Sequence, residues 1–584
     1  MIKIFSQKDT LHKPFLFFIF LFFSSAMYAQ VFPVKNYPKG YFIYPVDARI
    51  SLAANFGELR SNHYHMGLDC RTNQVINRPV KAAADGYIAR VSVAPFGFGQ
   101  AIYINHPNGM TTVYGHLHSF FPALEKYVIE KQYELQSWNV SLEFSPTQFP
   151  VKQGQLIAHS GNTGGSQGPH CHFEIRDTKT DKVFNELLFG LPIPDNVPPT
   201  IVRLAMYDRC KSTYSQSPEI FSLKKVAGNY TTIQEVIPIH TDKISFGISA
   251  NDKLSGSNNP NGIYEAAIYL DEQPLSAFQL DSISYDETRY VNANIDYKTR
   301  AAGGPYIQHL SRLPGYPQGV YRDIHGDGVI ELTDRNVHQV KIVVKDANGN
   351  TSTLTFKIKK GLIVETGNPD DSTSYFQQKE FIPGFVNVFE NESLRLYLPP
   401  STLYDSVAFS HSEKASASPV AYSVIHSILS GLVPAQNNFS IRIKTNKAVE
   451  ENVSDKILMK RTWKGKSDLV KAKKEGDWYS AKFNAFGDFE LIADDEPPVI
   501  NVSFHDNANL SHTTKIIITP KDNNDDIKNF RAELDGKWLR FTNDKGRLFV
   551  YTFDEKCLAG KHVLKISVED VAGNRAERTL HFVR

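Results

Sequence analysis

The chain has 584 residues, too many for one hydrophobic core, and domains of about 100–200 residues would divide it into three to five. Its 64 Lys and Arg nearly cancel 62 Asp and Glu, leaving a formal charge of +2, so no global field draws it to nucleic acid or an anionic membrane surface. At 41% hydrophobic and 12% aromatic it is too apolar for disorder, and runs such as KIVVKD and KISVED favour β-structure.

Residues 1–29 read as a signal peptide. Lys3, Lys8 and Lys13 precede an apolar run from Phe15 to Phe23, and SSAMYAQ then offers small residues for cleavage after Ala26 or Ala29. The run is short for a bilayer span and no cysteine stands at the cleavage zone to take a lipid. The expectation is an exported protein of the periplasm, cell envelope or medium, with no membrane span after signal removal. Four cysteines, Cys70, Cys171, Cys210 and Cys557, make no disulfide framework. Cys70 and Cys171 read as reduced core residues, with a bridge between them as the alternative.

Residues 30–190 form the first expected domain. DGYIARVSV (85–93), QAIYINH (100–106) and MTTVYGHL (110–117) are strand-like, with a hairpin signal at Asn108-Gly109, and PVKQGQLIAHS (150–160) adds another pair. PALEKYVIEKQYELQSW (122–138) is helical by composition, an insertion that begins just beyond His116 and is expected to border the site.

A glycine-rich loop, GNTGGSQG (161–168), leads into GPHCHFEIR (168–176). In a strand, His170, His172, Glu174 and Arg176 share one face while Cys171, Phe173 and Ile175 share the other, so a polar wet face backs an apolar buried one. Upstream, NHYHMGLDC (62–70) places His65 and Asp69 four apart around Gly67. Imidazole and carboxylate are both zinc ligands, and a third ligand at His172 leaves the fourth position to water. VYGHLHS adds His116 at a strand end.

His65-x-x-x-Asp69, Tyr114-x-His116-Leu117 and His170-x-His172, in that order, resemble the lysostaphin/LytM-type zinc endopeptidases over residues 60–180. The resemblance implies a small antiparallel β-sheet groove binding one zinc ion per chain through His65, Asp69 and His172. It implies His116 and His170 as catalytic histidines, one accepting the water proton and the other bonding the oxyanion, with the assignment left open. Two departures are the insertion after His116 and Cys171 at a usually aliphatic position. His63, His118 and His159 read as surface or satisfied core residues, and Glu174 with Arg176 as a salt-bridged rim. Tyr114 either packs or donates to substrate.

Beyond residue 190 an internal repeat appears: DNVPPTI (195–201) matches DDEPPVI (494–500), VKDANGN (344–350) matches VEDVAGN (568–574), and YLDEQ (269–273) matches ELDGK (533–537). The units resemble bacterial immunoglobulin-like domains. They are expected at 195–362, with an insertion near 285–335, and at 494–584, flanking a β-rich block at 375–493. The fold class is therefore mainly β: a small groove-shaped metallopeptidase domain followed by several β-sandwich domains. In DIHGDGVIELTD (323–334), Asp323, His325, Asp327, Gly328, Glu331 and Asp334 follow a calcium-loop spacing, but histidine at the third position and aspartate at the twelfth favour a glycine turn over calcium.

The resemblance implies hydrolysis of amide bonds in peptidoglycan stem peptides or crosslinks. The alternative is a non-catalytic envelope-binding or regulatory protein using the same groove; such proteins typically lack a ligand, and all five positions stand here. Residues 195–584 read as a spacer or as a docking module for an envelope protein partner.

Overall fold

The computed structural model describes residues 31–33, 35–361, 379–524 and 527–584; the signal peptide expected over 1–29 lies outside them, as does the start of the block expected from 375. Among the described residues no helix is long and apolar enough to cross a membrane.

The amino-terminal part is built on β1 (Leu68–Arg71), β2 (Gly86–Val93), β3 (Gln100–Asn105), β4 (Met110–Gly115), β5 (Leu117–Phe120), the helix α1 (Pro122–Glu134), β6 (Leu156–Ser160) and β7 (His170–Asp177). Its main antiparallel sheet runs β1-β7-β4-β3-β2, edged by Leu52–Ala54 and Val140–Glu143. The apolar face of β7, Cys171, Phe173 and Ile175, joins Leu68, Ile102 and Ile104 in one core, onto which the small sheet containing β5 and β6 adds Leu117 and Ile157. Each such side chain contributes about 1.5–3 kcal/mol on full burial, and a one-residue slip of β7 would bury its histidines instead, so this face pins the register. Cys70 and Cys171 are opposite one another across β1 and β7, buried and unbridged.

Helix α1 starts with Pro122 in its first turn, where a missing N–H costs nothing, and Glu125 accepts the free N–H of Phe120 at 2.9 Å. It stops earlier than the composition of 122–138 predicts, because Gln136 takes a left-handed φ of 48° and ends the helix.

After residue 195 come two sheets packed face to face. One contains β8 (Thr200–Asp208) and β9 (Lys243–Asn251), the other β10 (Val337–Lys345) and β11 (Thr351–Lys360), and Leu204, Phe246, Ile342 and Phe356 meet between them. This core does not end at residue 195: Phe56, Tyr64, Met66 and Val183 from the amino-terminal part belong to it. Residues 282–283 pair as a strand with 183–184, and Thr288 Oγ1 accepts the Tyr64 N–H at 2.9 Å. The insertion expected near 285–335 therefore lies partly against the first domain. Two five-stranded sheets between residues 387 and 493 enclose a third core around Leu396, Ile441 and Phe489, and a three- and a five-stranded sheet after 499 enclose a fourth around Ile518 and Ile566.

The sequence repeat extends to individual bonds. Asp271 accepts the Gln339 N–H at 2.8 Å and binds His338 at 2.7 Å; Asp535 accepts the Val563 N–H at 2.8 Å and binds His562 at 2.7 Å. In the 323–334 loop Asp323 is paired with Arg312 at 2.5 Å, Asp327 accepts the Val329 N–H at 3.1 Å, and Gly326 and Gly328 turn the chain at φ 113° and 91°.

Candidate metal centre

The pairing of β7 with β1 sets His172 directly opposite Asp69, and His65 arrives from the segment just before β1. Three ligand atoms converge: His65 Nε2 lies 3.1 Å from Asp69 Oδ1, Asp69 Oδ1 lies 2.9 Å from His172 Nδ1, and the two ring nitrogens are 3.3 Å apart. Ligands 2.0–2.1 Å from a tetrahedral zinc stand about 3.3 Å from each other, so the donor set fits that ion. Gly67 permits the approach: a Cβ there would lie 2.5 Å from Phe173 O and 2.8 Å from His172 Nε2.

The outer ring nitrogens fix which inner ones are free. His65 Nδ1 donates to Asn55 O at 2.8 Å, leaving Nε2 for the metal, and His172 Nε2 donates to Glu174 at 2.9 Å, leaving Nδ1. Burial disfavours charge on His172, yet the hydrogen bonds to Asp69 and Glu174 outweigh it and push its pKa up to about 10 in the absence of metal. Burial likewise opposes the Asp69 carboxylate, but His65 and the hydrogen bonds from His170, His172 and His65 hold it well below the usual carboxylate range.

His116 and His170 flank this triangle, their rings 4.8 Å apart between centroids. His116 sits at φ 59° at the end of β4, a left-handed conformation costing about 1–3 kcal/mol for a non-glycine residue, and its Nδ1 donates to Thr163 O at 2.8 Å. Burial first, then the neighbouring His170 and His172, push its pKa down to about 3, so the ring is neutral with an open lone pair on Nε2. His170 Nδ1 faces Gly168 O at 2.8 Å while its Nε2 faces Asp69 Oδ1 at 3.3 Å.

Two expectations need correction, and of the two readings of Tyr114 the packed one holds. Glu174 and Arg176 are no rim: they are 0% and 3% exposed, and Arg176 Nε donates to Glu174 Oε2 at 2.6 Å. Tyr285 covers them, its hydroxyl on Glu174 and its ring 4.8 Å from the Arg176 guanidinium, so the polar face of β7 is wet only near His170. Tyr114 points away from the site, buried, with its hydroxyl accepting from Ala83 N at 2.8 Å. Nor does the helical insertion border the cleft. Gln132 and Tyr133 of α1 instead meet Arg540 and Trp538 of the last β unit, at 2.5 Å between Gln132 Oε1 and Arg540 Nε and 5.4 Å between rings.

The cleft over the triangle holds about 1160 Å³; Arg60, Phe98, Gln167 and Tyr285 form part of its walls, and His63 stands at its edge. Residues 63–135, which include His65, Asp69 and His116, match the model of peptidase family M23. The chain carries an M23 peptidase domain. Among its relatives, a DD-carboxypeptidase/endopeptidase Mpg of Neisseria meningitidis serogroup B is 30% identical over 27% of this chain and 27% of its own length. A peptidoglycan DD-endopeptidase ShyA of Vibrio cholerae is 27% identical over 26% of this chain and 31% of its own. The chain thus spans about a quarter to a third of the length of these relatives. A solved zinc-containing peptidase from Vibrio cholerae is 28% identical over 24% of this chain and 37% of that one, with a TM-score of 0.18. Outside the M23 domain, residues 381–494 match a Zu5-like domain, where the sequence reading recognised only a β-rich block.

Sequence reading missed Tyr285 and the orienting role of Glu174. It also missed Asp544 and Lys545, which reach in from the last β unit: Asp544 Oδ1 accepts the Gly164 N–H at 2.8 Å, and the Lys545 ammonium donates to Ser166 O. The alternation of β7 pointed at Glu174; nothing local pointed at the other three.

Proposed function

We propose that this protein is an exported zinc endopeptidase that hydrolyses amide bonds in the peptide part of peptidoglycan. The observation that carries the reading is the convergence of His65, Asp69 and His172 on one point, with two further histidines beside it on the open cleft. The names of its M23 relatives supply the substrate class, and the basic, apolar and small-residue order of residues 1–29 supports export.

His65, Asp69 and His172 would hold one zinc ion, which when bound acts as a Lewis acid on the scissile carbonyl and lowers the pKa of water. His116, neutral and anchored through Nδ1, presents its Nε2 lone pair as general base for the attacking water. His170, facing acceptors with both nitrogens, offers an N–H to the carbonyl oxygen as negative charge builds there. Glu174 holds the His172 ring in its ligating tautomer.

The test is incubation of the full-length zinc-loaded protein with purified crosslinked peptidoglycan, with products identified by mass spectrometry. Peptide crosslinks or stem bonds should open, and His116→Ala should lower the rate at least about 100-fold with zinc content unchanged. A wild type that binds the wall and leaves every peptide intact would sink the reading in favour of a binding protein.

A further inference from the structure

We propose that Asp195, Asp252 and Asp346 form a binding site for a hard divalent cation of the calcium class, where the M23 domain meets the β unit that follows. Asp195 lies in the double-proline linker, Asp252 directly follows β9, and Asp346 directly follows β10. One carboxylate oxygen from each lies within 4.8 Å of the others.

Proximity alone would not make a site; the bare oxygens do. Asp252 is 3% exposed and Asp346 4%. Asp252 Oδ1 and Asp195 Oδ2 are buried without any hydrogen-bond partner, a state avoided in folded proteins unless something else satisfies the oxygen. The neighbouring charges that act most strongly on Asp252 are Asp195 and Asp346, like in sign to its own. Burial together with these two pushes the Asp252 carboxyl up to about 7, so the ionised triad calls for a positive partner. Asp346 is already oriented, its Oδ1 accepting the Asn348 and Asn350 N–H groups at 2.9 and 2.8 Å, and Asn350 Nδ2 holding Oδ2 at 2.6 Å. All three donors are oxygen, with no imidazole or thiolate, which selects a hard cation over zinc.

The same arrangement recurs at the corresponding positions of the repeat. Asp494 in the second double-proline linker, Asp522 after the strand Lys515–Lys521, and Asp570 in VEDVAGN converge likewise. There Asn523 and Asn524 amides take up the Asp494 oxygens at 3.1 and 2.8 Å, whereas Oδ2 of its counterpart Asp195 stays bare; Asp522 Oδ1 is as bare as Asp252 Oδ1.

The location gives the ion a task. Asp252 and Asn261 bond backbone to backbone at 3.0 and 2.8 Å, closing the loop between them. That loop grips the M23 domain: Gly262 and the Asn55 side chain exchange two hydrogen bonds of 2.9 Å, and Asn259 Nδ2 donates to Ala53 O at 2.7 Å. Asn55 O is in turn the acceptor that orients His65. A cation between the three carboxylates braces the base of this loop and so the entry segment of the metal centre.

The experiment is calcium binding by the full-length zinc-loaded protein, measured by equilibrium dialysis with calcium chloride in metal-depleted buffer containing trace zinc. Wild type should bind calcium, and Asp252→Asn should bind one ion fewer or bind it at least tenfold more weakly, with zinc content unchanged. Calcium should also slow amide hydrogen exchange in residues 252–262 of the wild type and leave it unaltered in the variant. Should Asp252→Asn fail to fold, Asp195→Asn, in the partly exposed linker, carries the same expectations. No calcium bound by wild type at millimolar concentration, or equal binding by the folded variants, overturns the proposal.

Discussion

Glu174 accepts the Nε2 proton of His172 at 2.9 Å while its other oxygen receives Arg176 at 2.6 Å. The carboxylate thus ties a metal ligand to a buried cation. Loss of such an outer-shell partner typically costs 10–100-fold in metal affinity. Glu174→Gln, which keeps an acceptor in place, should weaken zinc binding by about tenfold in competition with a chromophoric chelator. Glu174→Ala should do more: it also takes the buried partner from Arg176, 3% exposed, leaving the guanidinium only the exposed Asp181, and removal of one partner of a buried pair costs up to about 3–5 kcal/mol. Wild-type zinc affinity in the glutamine variant would show that His172 needs no such support.

Zinc affinity should rise with pH. Without metal, the Asp69 and Glu174 hydrogen bonds overcome burial and raise the His172 pKa from 6.5 to about 10. The sign follows: this proton stabilises the metal-free fold fully below pH 6.5, and its contribution is lost as pH climbs towards about 10. A zinc ion on Nδ1 must displace it, so one proton leaves per ion bound and affinity should increase about tenfold per pH unit through neutrality. Titration calorimetry in buffers of different ionisation enthalpy measures that proton directly. A pH-independent affinity between 7 and 9 would mean that His172 is already neutral in the metal-free protein.

The convergence of His65, Asp69 and His172 was legible because its information is local: an alternating strand and a four-residue spacing, in the order of the family motifs. The alternation of 170–176 also placed Cys171, Phe173 and Ile175 in the core. It misread the opposite face, because what covers Glu174 and Arg176 is Tyr285, more than a hundred residues downstream. The same limit explains α1. Its buried positions, Leu124, Val128 and Gln132, form one stripe, and a stripe does not name its partner; Gln132 finds Arg540. Strand repeats and double-proline linkers announced the β units, but the amino-terminal residues sharing their core stood outside any motif.

That shared core yields a prediction about dissection. A fragment of residues 30–190 would expose Phe56, Tyr64, Met66 and Val183, which are buried against the unit built on β8–β11. It would also leave the strand at 183–184 without its partner at 282–283. The fragment should be markedly less stable than residues 30–361 in denaturant titration, by several kcal/mol at about 1.5–3 kcal/mol per large side chain. Equal stability of the two would show that the contacts with 282–294 are dispensable.

The last β unit should tune the catalytic histidines without touching them. Thr163 O anchors His116, while Ser166 Oγ and Gly168 O lie 3.2 and 2.8 Å from His170 Nδ1. On its inner side this glycine-rich loop is held by Thr163 Oγ1, which donates to Leu117 O at 2.9 Å, and by the Gly165 N–H, which donates to Gly97 O at 2.8 Å. Its outer side is clamped by Asp544, which accepts the Gly164 N–H at 2.8 Å, and by Lys545, whose N–H donates to Pro95 O at 2.9 Å and whose ammonium reaches Ser166 O. Asp544→Ala with Lys545→Gly removes both side-chain grips and leaves the backbone bond to Pro95 O, at a turn where Lys545 already has φ 60°, so the backbone of the turn tolerates glycine. The proposed zinc ligands come from β1, β7 and the segment before β1, so metal content should stay unchanged. The turnover number should fall about tenfold or more, because a misplacement of 1 Å can cost about 100-fold. Hydrogen exchange at residues 162–168 should quicken in parallel. If exchange quickens and turnover holds, the loop positions the histidines without help from the last unit; if neither changes, the clamp is incidental.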